Sequence, residues 1–314
     1  MNINRITVGL AQDHTILHNP ELALEKAEFW LKQARDKGVS LIIFPEAWIG
    51  GYPKGSSFDT VVGMRTPEGR AEFARYYAGA IDIPGDISQR LGMLIREYSM
   101  YAVVGVIERR KSTLFCSTII FNPEGEIEAV HRKLMPTAME RLIWGQGSGA
   151  DLPAVSTPFG TIGSTICWEN YMPMLRMTMY NKGVTIYCVS TVDDREQWQA
   201  TMQHIALEGR CFVLSCCAWQ QVKHCPGHQT VQGDELDVTM IRGGSVIWSP
   251  LGEKLAGPLY DEAGLVTAEL NLSEIPASRY DFDPVGHYAR PDIFQLTVNE
   301  RKTNAVETES DPLE

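Results

Sequence analysis

Three residues in this chain have the types and placement to form an active site: Glu46, Lys133 and Cys167. Each follows a short run rich in β-branched and apolar residues. Val39 to Phe44 leads into Pro45-Glu46, Glu126 to Val130 into His131-Arg132-Lys133, and Gly160 to Ile166 into Cys167-Trp168-Glu169-Asn170. A turn at the end of a buried strand can present the next side chain to a cleft. Three such strands could therefore assemble a carboxylate, an ammonium and a thiol. That set suits nucleophilic catalysis, with the sulfur attacking, the carboxylate moving its proton and the ammonium meeting developing negative charge. A free thiol has a pKa of about 8.5, so Cys167 needs a lysine, a polar turn or a helix N-terminus such as that near Met172 to favour its anion.

Taken singly, each residue has a plain alternative. Cys167 could be a buried packing cysteine, although neither Trp168 nor Glu169 suits the continuation of a dry strand. Glu46 lies before Ala47-Trp48-Ile49-Gly50-Gly51-Tyr52-Pro53, where apolar surroundings would raise its pKa as a general base requires; an exposed strand-end carboxylate is the other reading. Lys133 could be a solvated strand-end lysine. Glu140 precedes the apolar stretch Leu142-Ile143-Trp144, which suggests a partly buried Glu140-Arg141 pair or a surface salt bridge.

Other chemistries find less support. The seven histidines show no metal-ligand spacing, and His224, Cys225 and His228 lack a fourth ligand unless Cys216 or Cys217 reaches across. Gly243-Gly244-Ser245 leads into a strand with no lysine, unlike a phosphate-binding loop. There is no G-x-S-x-G elbow for a serine nucleophile.

The elements that must position these residues follow from periodicity. Strands are expected at Ile6 to Ala11, Val39 to Phe44, Tyr101 to Ile107, Leu114 to Phe121, Thr161 to Cys167 and Val184 to Ser190. Later ones fall at Cys211 to Cys217, Gly244 to Trp248 and Leu265 to Leu270. Their near-continuous apolar runs imply cover by helices. Pro20 to Lys37, stopped by Gly38, Asp86 to Tyr98 with Asp86 as N-cap, Met172 to Asn181 and Asp194 to Glu208 read as those helices. Asn122-Pro123-Glu124-Gly125 and Pro250-Leu251-Gly252 are turn signals that predict hairpins, so the sheets should be mixed. Residues 220–240 read as a long polar surface loop that could close a pocket. No linker interrupts the chain. The expectation is one catalytic domain over residues 1–294, followed by a C-terminal strand and acidic tail over 295–314.

At 314 residues, 44% hydrophobic and 21% charged, the composition is that of a soluble globular enzyme. A formal net charge of −11 disfavours nucleic acid and anionic membranes as partners. No apolar run approaches the roughly 20 residues of a membrane span. The N-terminal residues lack a signal-peptide layout, and seven irregularly spaced cysteines do not suggest a disulfide framework. A reducing cytoplasm is the expected compartment.

At the same residues the chain resembles the nitrilase branch of the carbon–nitrogen hydrolase superfamily. The segments are Phe44-Pro45-Glu46-Ala47, His131-Arg132-Lys133-Leu134-Met135-Pro136-Thr137 and Cys167-Trp168-Glu169-Asn170-Tyr171-Met172-Pro173. Glu140 to Gly147, Asp193 to Glu208, Gly243-Gly244-Ser245 and Gly286 to Asp292 support them, in the family's order. The resemblance implies an α/β fold, a four-layer αββα sandwich. It also implies a Glu46–Lys133–Cys167 triad with Glu140 as a fourth site residue. Gly147-Ser148-Gly149 stands where many relatives carry Gly-Asp-Gly, and the tail beyond Asp292 is short beside filament-forming relatives. A homo-oligomer, dimer or larger, is implied rather than a long filament.

The activity implied is hydrolysis of an organic nitrile to carboxylic acid and ammonia, with no metal or organic cofactor. Aromatic or arylaliphatic nitriles are favoured because Trp48, Tyr52, Trp144, Trp168 and Tyr171 could line an apolar pocket. An amidase or cyanide-hydrolysing enzyme on the same triad is the runner-up, and a catalytically silent oligomeric scaffold is the alternative from another class.

Overall fold

The computed structural model describes residues 4–225 and 236–302, and its strands form two mixed sheets. The first holds β1 (Arg5–Gln12), β2 (Ile16–Leu17), β3 (Val39–Ile43), β4 (Ile49–Gly50), β5 (Tyr101–Arg110), β6 (Thr113–Phe121), β7 (Ile127–Arg132) and β15 (Gly264–Asn271). The second holds β8 (Val155–Thr157), β9 (Gly160–Ile166), β10 (Ile186–Thr191), β11 (Phe212–Cys217), β12 (Trp219–Gln221), β13 (Thr239–Trp248) and β14 (Lys254–Tyr260). β1, β3 and β5 are parallel neighbours, as are β9, β10 and β11. Asn122–Gly125 closes the antiparallel β6–β7 hairpin and Pro250–Gly252 the β13–β14 hairpin, as their turn residues predict.

Side-chain alternation along the strands decides the layering. In β3, Leu41 and Ile43 enter a core shared with the second sheet, while Ile42 between them faces the core formed with α1 (Pro20–Asp36) and α3 (Asp86–Tyr98). In β10, Ile186 and Cys188 enter the shared core, while Tyr187 and Val189 face α4 (Pro173–Asn181) and α5 (Glu196–Gly209). Two sheets face to face with helices outside each make the four-layer αββα sandwich. Each fully buried Leu or Ile contributes about 2 kcal/mol, so strands apolar on both faces hold these layers together.

Several local expectations hold and several change. Asn19 caps α1 through Leu22 N at 3.1 Å, and Gly38 follows that helix at φ +69°. Asp86 is not the cap of α3: Gly85 is, after the Pro84-Gly85 turn, and Asp86 opens the first turn, where its charge meets the helix's positive end. α2 (Pro67–Ala78) and α6 (Glu274–Ser278) were not anticipated, the former because its apolar face is short and only Gly69 and Tyr76 are buried. The expected 220–240 loop is partly sheet, since β12 pairs with β13, and Gln220, Val222 and Cys225 are buried. Residues 226–235 lie outside the described residues. No strand forms over 295–302, and the acidic stretch beyond lies outside the described residues.

Candidate active site

Three strand ends converge where the sheets meet. Glu46 follows β3 by way of Phe44-Pro45, Lys133 follows β7 directly, and Cys167 follows β9 directly. Lys133 N donates to Cys116 O on β6 at 2.8 Å, which extends the ladder one residue and aims the side chain inward. Cys167 has φ +49° and Ala47 φ +55°, both left-handed values uncommon for residues with a Cβ. The chain turns sharply at both positions as it leaves its strand. Gly105 on β5 makes room for the Glu46 turn: a Cβ there would lie 2.1 Å from Pro45 O and 2.8 Å from Ala47 N.

The polar groups form one buried network. Lys133 Nζ donates to Glu46 Oε1 and to Glu140 Oε2, each at 2.7 Å, and neither Lys133 nor Glu46 has any solvent exposure. Glu140 also accepts from Tyr52 Oη at 2.8 Å and from Thr137 N at 2.6 Å. Its expected partner Arg141 instead turns back to Ala138 O. Glu46 Oε1 accepts from Cys116 Sγ at 3.4 Å, while its Oε2 is buried without a hydrogen-bond partner among the described residues. Thr191 Oγ1 donates to Cys167 Sγ at 3.3 Å.

Electrostatics then set the protonation states. Burial raises the Glu46 carboxyl, and Glu140 adds to the rise, although the Lys133 charge opposes both. Burial works against the Lys133 ammonium, but Glu46, Cys167 and Glu140 around it hold its pKa well above the usual lysine value. Burial, followed by the Glu46 charge, pushes the Cys167 thiol far up, and Lys133 only partly offsets this. The sulfur therefore rests as a thiol rather than as the lysine-stabilised anion. Nucleophilic attack has to be coupled to loss of its proton, and a buried carboxylate with a raised pKa is a suitable acceptor.

A second layer of contacts ties the strands together. Glu169 accepts from Ile166 N at 2.6 Å and Leu134 N at 2.8 Å, and pairs with His131 Nε2 at 2.7 Å. Asn170 Nδ2 donates to Cys167 O at 2.8 Å, and Thr165 Oγ1 donates to Asn170 Oδ1 at 2.8 Å. Sequence reasoning did not assign roles to Glu169, His131, Asn170, Thr191 or Cys116. The first three flank the motif residues and were within reach, whereas Thr191 and Cys116 are brought in only by strand pairing.

The aromatic candidates separate. Tyr52 and Trp144 pack edge to face at 5.9 Å, and the Trp144 ring lies 5.6 Å from Lys133 Nζ. Both line a cavity of about 390 Å³ that borders Glu140 and also touches Lys54, Phe58, Met139 and Ile143. Trp48 is core, not pocket: it is fully buried with Phe44, and its indole donates to Ala23 O on α1. The left-handed turn at Ala47 sends it to the helix side of the sheet. Trp168 and Tyr171 do not line this cavity. Trp168 is half-exposed, donating to Asp193 Oδ2 at 2.7 Å and covered by Arg195, with Tyr171 packed against it at 5.7 Å. A larger polar cavity of about 620 Å³, lined by Asp82, Arg109, Arg132 and Asp151, holds none of the four acid, base or thiol candidates.

Comparison with known proteins agrees with this architecture. The carbon–nitrogen hydrolase family model matches residues 7–280. The chain is 47% identical to an aliphatic nitrilase of Sinorhizobium fredii, over 98% of this chain and 99% of that protein. It is 45% identical to Nitrilase 1 of Arabidopsis thaliana, over 96% and 89% of the two chains. It is 46% identical to a bifunctional nitrilase/nitrile hydratase of Lupinus angustifolius, over 97% and 89%. In three dimensions it resembles the C. elegans NitFhit protein (TM-score 0.73, 19% identity, 97% of this chain and 70% of that one). It also resembles Saccharomyces cerevisiae Nit3 (TM-score 0.70, 18% identity, 91% and 97%), and both likenesses concern the fold alone. Motif order, strand-end geometry and near full-length identity lead to one assignment: the chain belongs to the nitrilase branch of the carbon–nitrogen hydrolase family.

Proposed function

We propose that this protein hydrolyses organic nitriles to carboxylic acid and ammonia, with Cys167 as nucleophile, Glu46 as base, Lys133 as electrostatic stabiliser and Glu140 as the group that orients Lys133. The observation that carries the reading is the Lys133 ammonium held between Glu46 and Glu140 at 2.7 Å from each, in the same buried site as the Cys167 thiol. Glu46 accepts the S–H proton as sulfur bonds to the nitrile carbon, and the nitrile nitrogen takes up a proton to give a covalent thioimidate. Water, deprotonated by Glu46, adds to that carbon. Lys133 stabilises the charge in the tetrahedral species, ammonia leaves and a thioester remains. A second water releases the acid and returns the proton to sulfur. If the first tetrahedral species expels sulfur instead, an amide is the product, a branch consistent with relatives named for both activities.

The aromatic walls Tyr52, Phe58 and Trp144 support arylaliphatic nitriles as substrates. The name of the Sinorhizobium relative favours a second reading, aliphatic nitriles, on the same machinery. The test is ammonia and carboxylate release from a panel of both classes by the wild type and Cys167→Ala. Product from the wild type alone supports the reaction and the nucleophile. Hydrolysis of primary amides without nitrile turnover replaces the reading with an amidase.

A further inference from the structure

The cavity beside Glu140 carries a charge that the reaction does not use. Its walls include the apolar surfaces of Phe58, Ile143 and Trp144, and its polar lining adds Ser56, Ser57 and the ammonium-bearing Lys54. The Lys54 backbone N–H donates to Tyr52 O at 2.8 Å, so this residue is tied to the same turn that places the Tyr52 hydroxyl on Glu140. Lys54 is partly buried, and no carboxylate among the described residues lies within ion-pair distance of it. Glu140, the cavity's acidic member, is committed to Lys133, Tyr52 and Thr137. The cavity therefore combines an apolar middle with a cation that no carboxylate among the described residues pairs and two hydroxyls, inside a chain whose overall charge is −11.

We infer that Lys54 is a specificity residue that binds the anionic end of the substrate, and that the preferred nitriles carry a carboxylate separated from the nitrile carbon by an apolar spacer. This rests on the nitrile-hydrolase reading above and specifies its substrate class. An ammonium in a partly apolar cavity is screened less than one on open surface, so it discriminates between a carboxylate and a neutral group of similar size. The hydroxyls of Ser56 and Ser57 provide further donors for the same group.

The experiment is kcat/KM on matched nitrile pairs that differ only in a terminal carboxylate against a methyl group, one pair with an alkyl spacer and one with a phenyl spacer. The wild type should favour the carboxylate member. Lys54→Met should lower the carboxylate-to-methyl ratio by roughly tenfold or more, corresponding to loss of one partly desolvated ion pair. Lys54→Glu should reverse the selectivity toward the analogue bearing a terminal amine, a gain that misfolding would not produce. Turnover of both members at a ratio that neither variant moves overturns the inference and leaves the nitrilase reading standing. Failure of the wild type on every nitrile, with amides hydrolysed, overturns both.

Discussion

Glu169 Oε1 lies 2.7 Å from His131 Nε2, and both side chains have no solvent exposure. The two residues flank the site from different elements: His131 lies on β7 of the first sheet, two residues before Lys133, and Glu169 lies in the 3-10 turn that follows β9 of the second sheet, two residues after Cys167. The same carboxylate accepts from Ile166 N and Leu134 N, so one group sets the spacing between the strand that ends in the thiol and the strand that ends in the ammonium.

Removing that carboxylate should cost both stability and activity. Breaking a buried pair leaves an unpaired polar group, so Glu169→Ala is expected to destabilise the fold by about 3–5 kcal/mol in urea titration. Glu169→Gln should lose less stability, because an amide oxygen can still accept from the two backbone N–H groups.

The same pair makes stability depend on pH. Burial disfavours the His131 cation, but Glu169 beside it raises the pKa above the ordinary histidine value. A raised folded pKa means the contribution is fully present below the unfolded value of about 6.5 and is lost as pH rises through the folded pKa. Wild-type stability should therefore fall as pH rises above about 6.5 by a component that His131→Gln lacks. Identical pH slopes for the two proteins would refute it.

Glu46 must be ionised to act as a base, and its carboxyl is raised by burial. The acid limb of kcat/KM should therefore lie above the roughly 4.3 of an ordinary glutamate, and the alkaline limb far up, since Cys167 and Lys133 are both raised. Glu46→Gln should lower kcat by about 10²–10⁴-fold and abolish the acid limb. A wild-type profile flat to pH 5 would remove Glu46 from the base role.

Tyr52 and Glu140 should separate by magnitude. Glu140→Gln leaves Lys133 with one charged neighbour, and is expected to lower kcat by roughly 100-fold. Tyr52→Phe removes one hydrogen bond to Glu140, worth about 1 kcal/mol, and should cost only several-fold. Steady-state kinetics on one good nitrile distinguishes them, and equal losses would show Tyr52 to have a role beyond holding Glu140.

Gly105→Ala probes the backbone beneath the base. The added Cβ meets Pro45 O at 2.1 Å, so the turn bearing Glu46 has to move. An overpacking cost of about 1–3 kcal/mol is expected, together with a kcat loss out of proportion to any change in KM.

Much of the site was legible before the fold. Thiol, ammonium and carboxylate each follow a β-branched run, and local periodicity places such runs in buried strands whatever the topology. The alternation in β3 and β10 likewise encodes two-sided burial, and the Asn122–Gly125 and Pro250–Gly252 turns encode hairpins. Tertiary structure decided what depends on facing elements. The left-handed turn at Ala47 sends Trp48 into the α1 core while Tyr52 reaches Glu140, a division that aromatic content alone does not reveal. The pairing of β9 with β10 brings Thr191 to the sulfur, and the β5–β6 hairpin brings Cys116 to Glu46. The resting thiol was decided in the same way. A lysine near a cysteine ordinarily lowers its pKa, but full burial with two carboxylates outweighs that one cation, a balance set only when the strand ends meet.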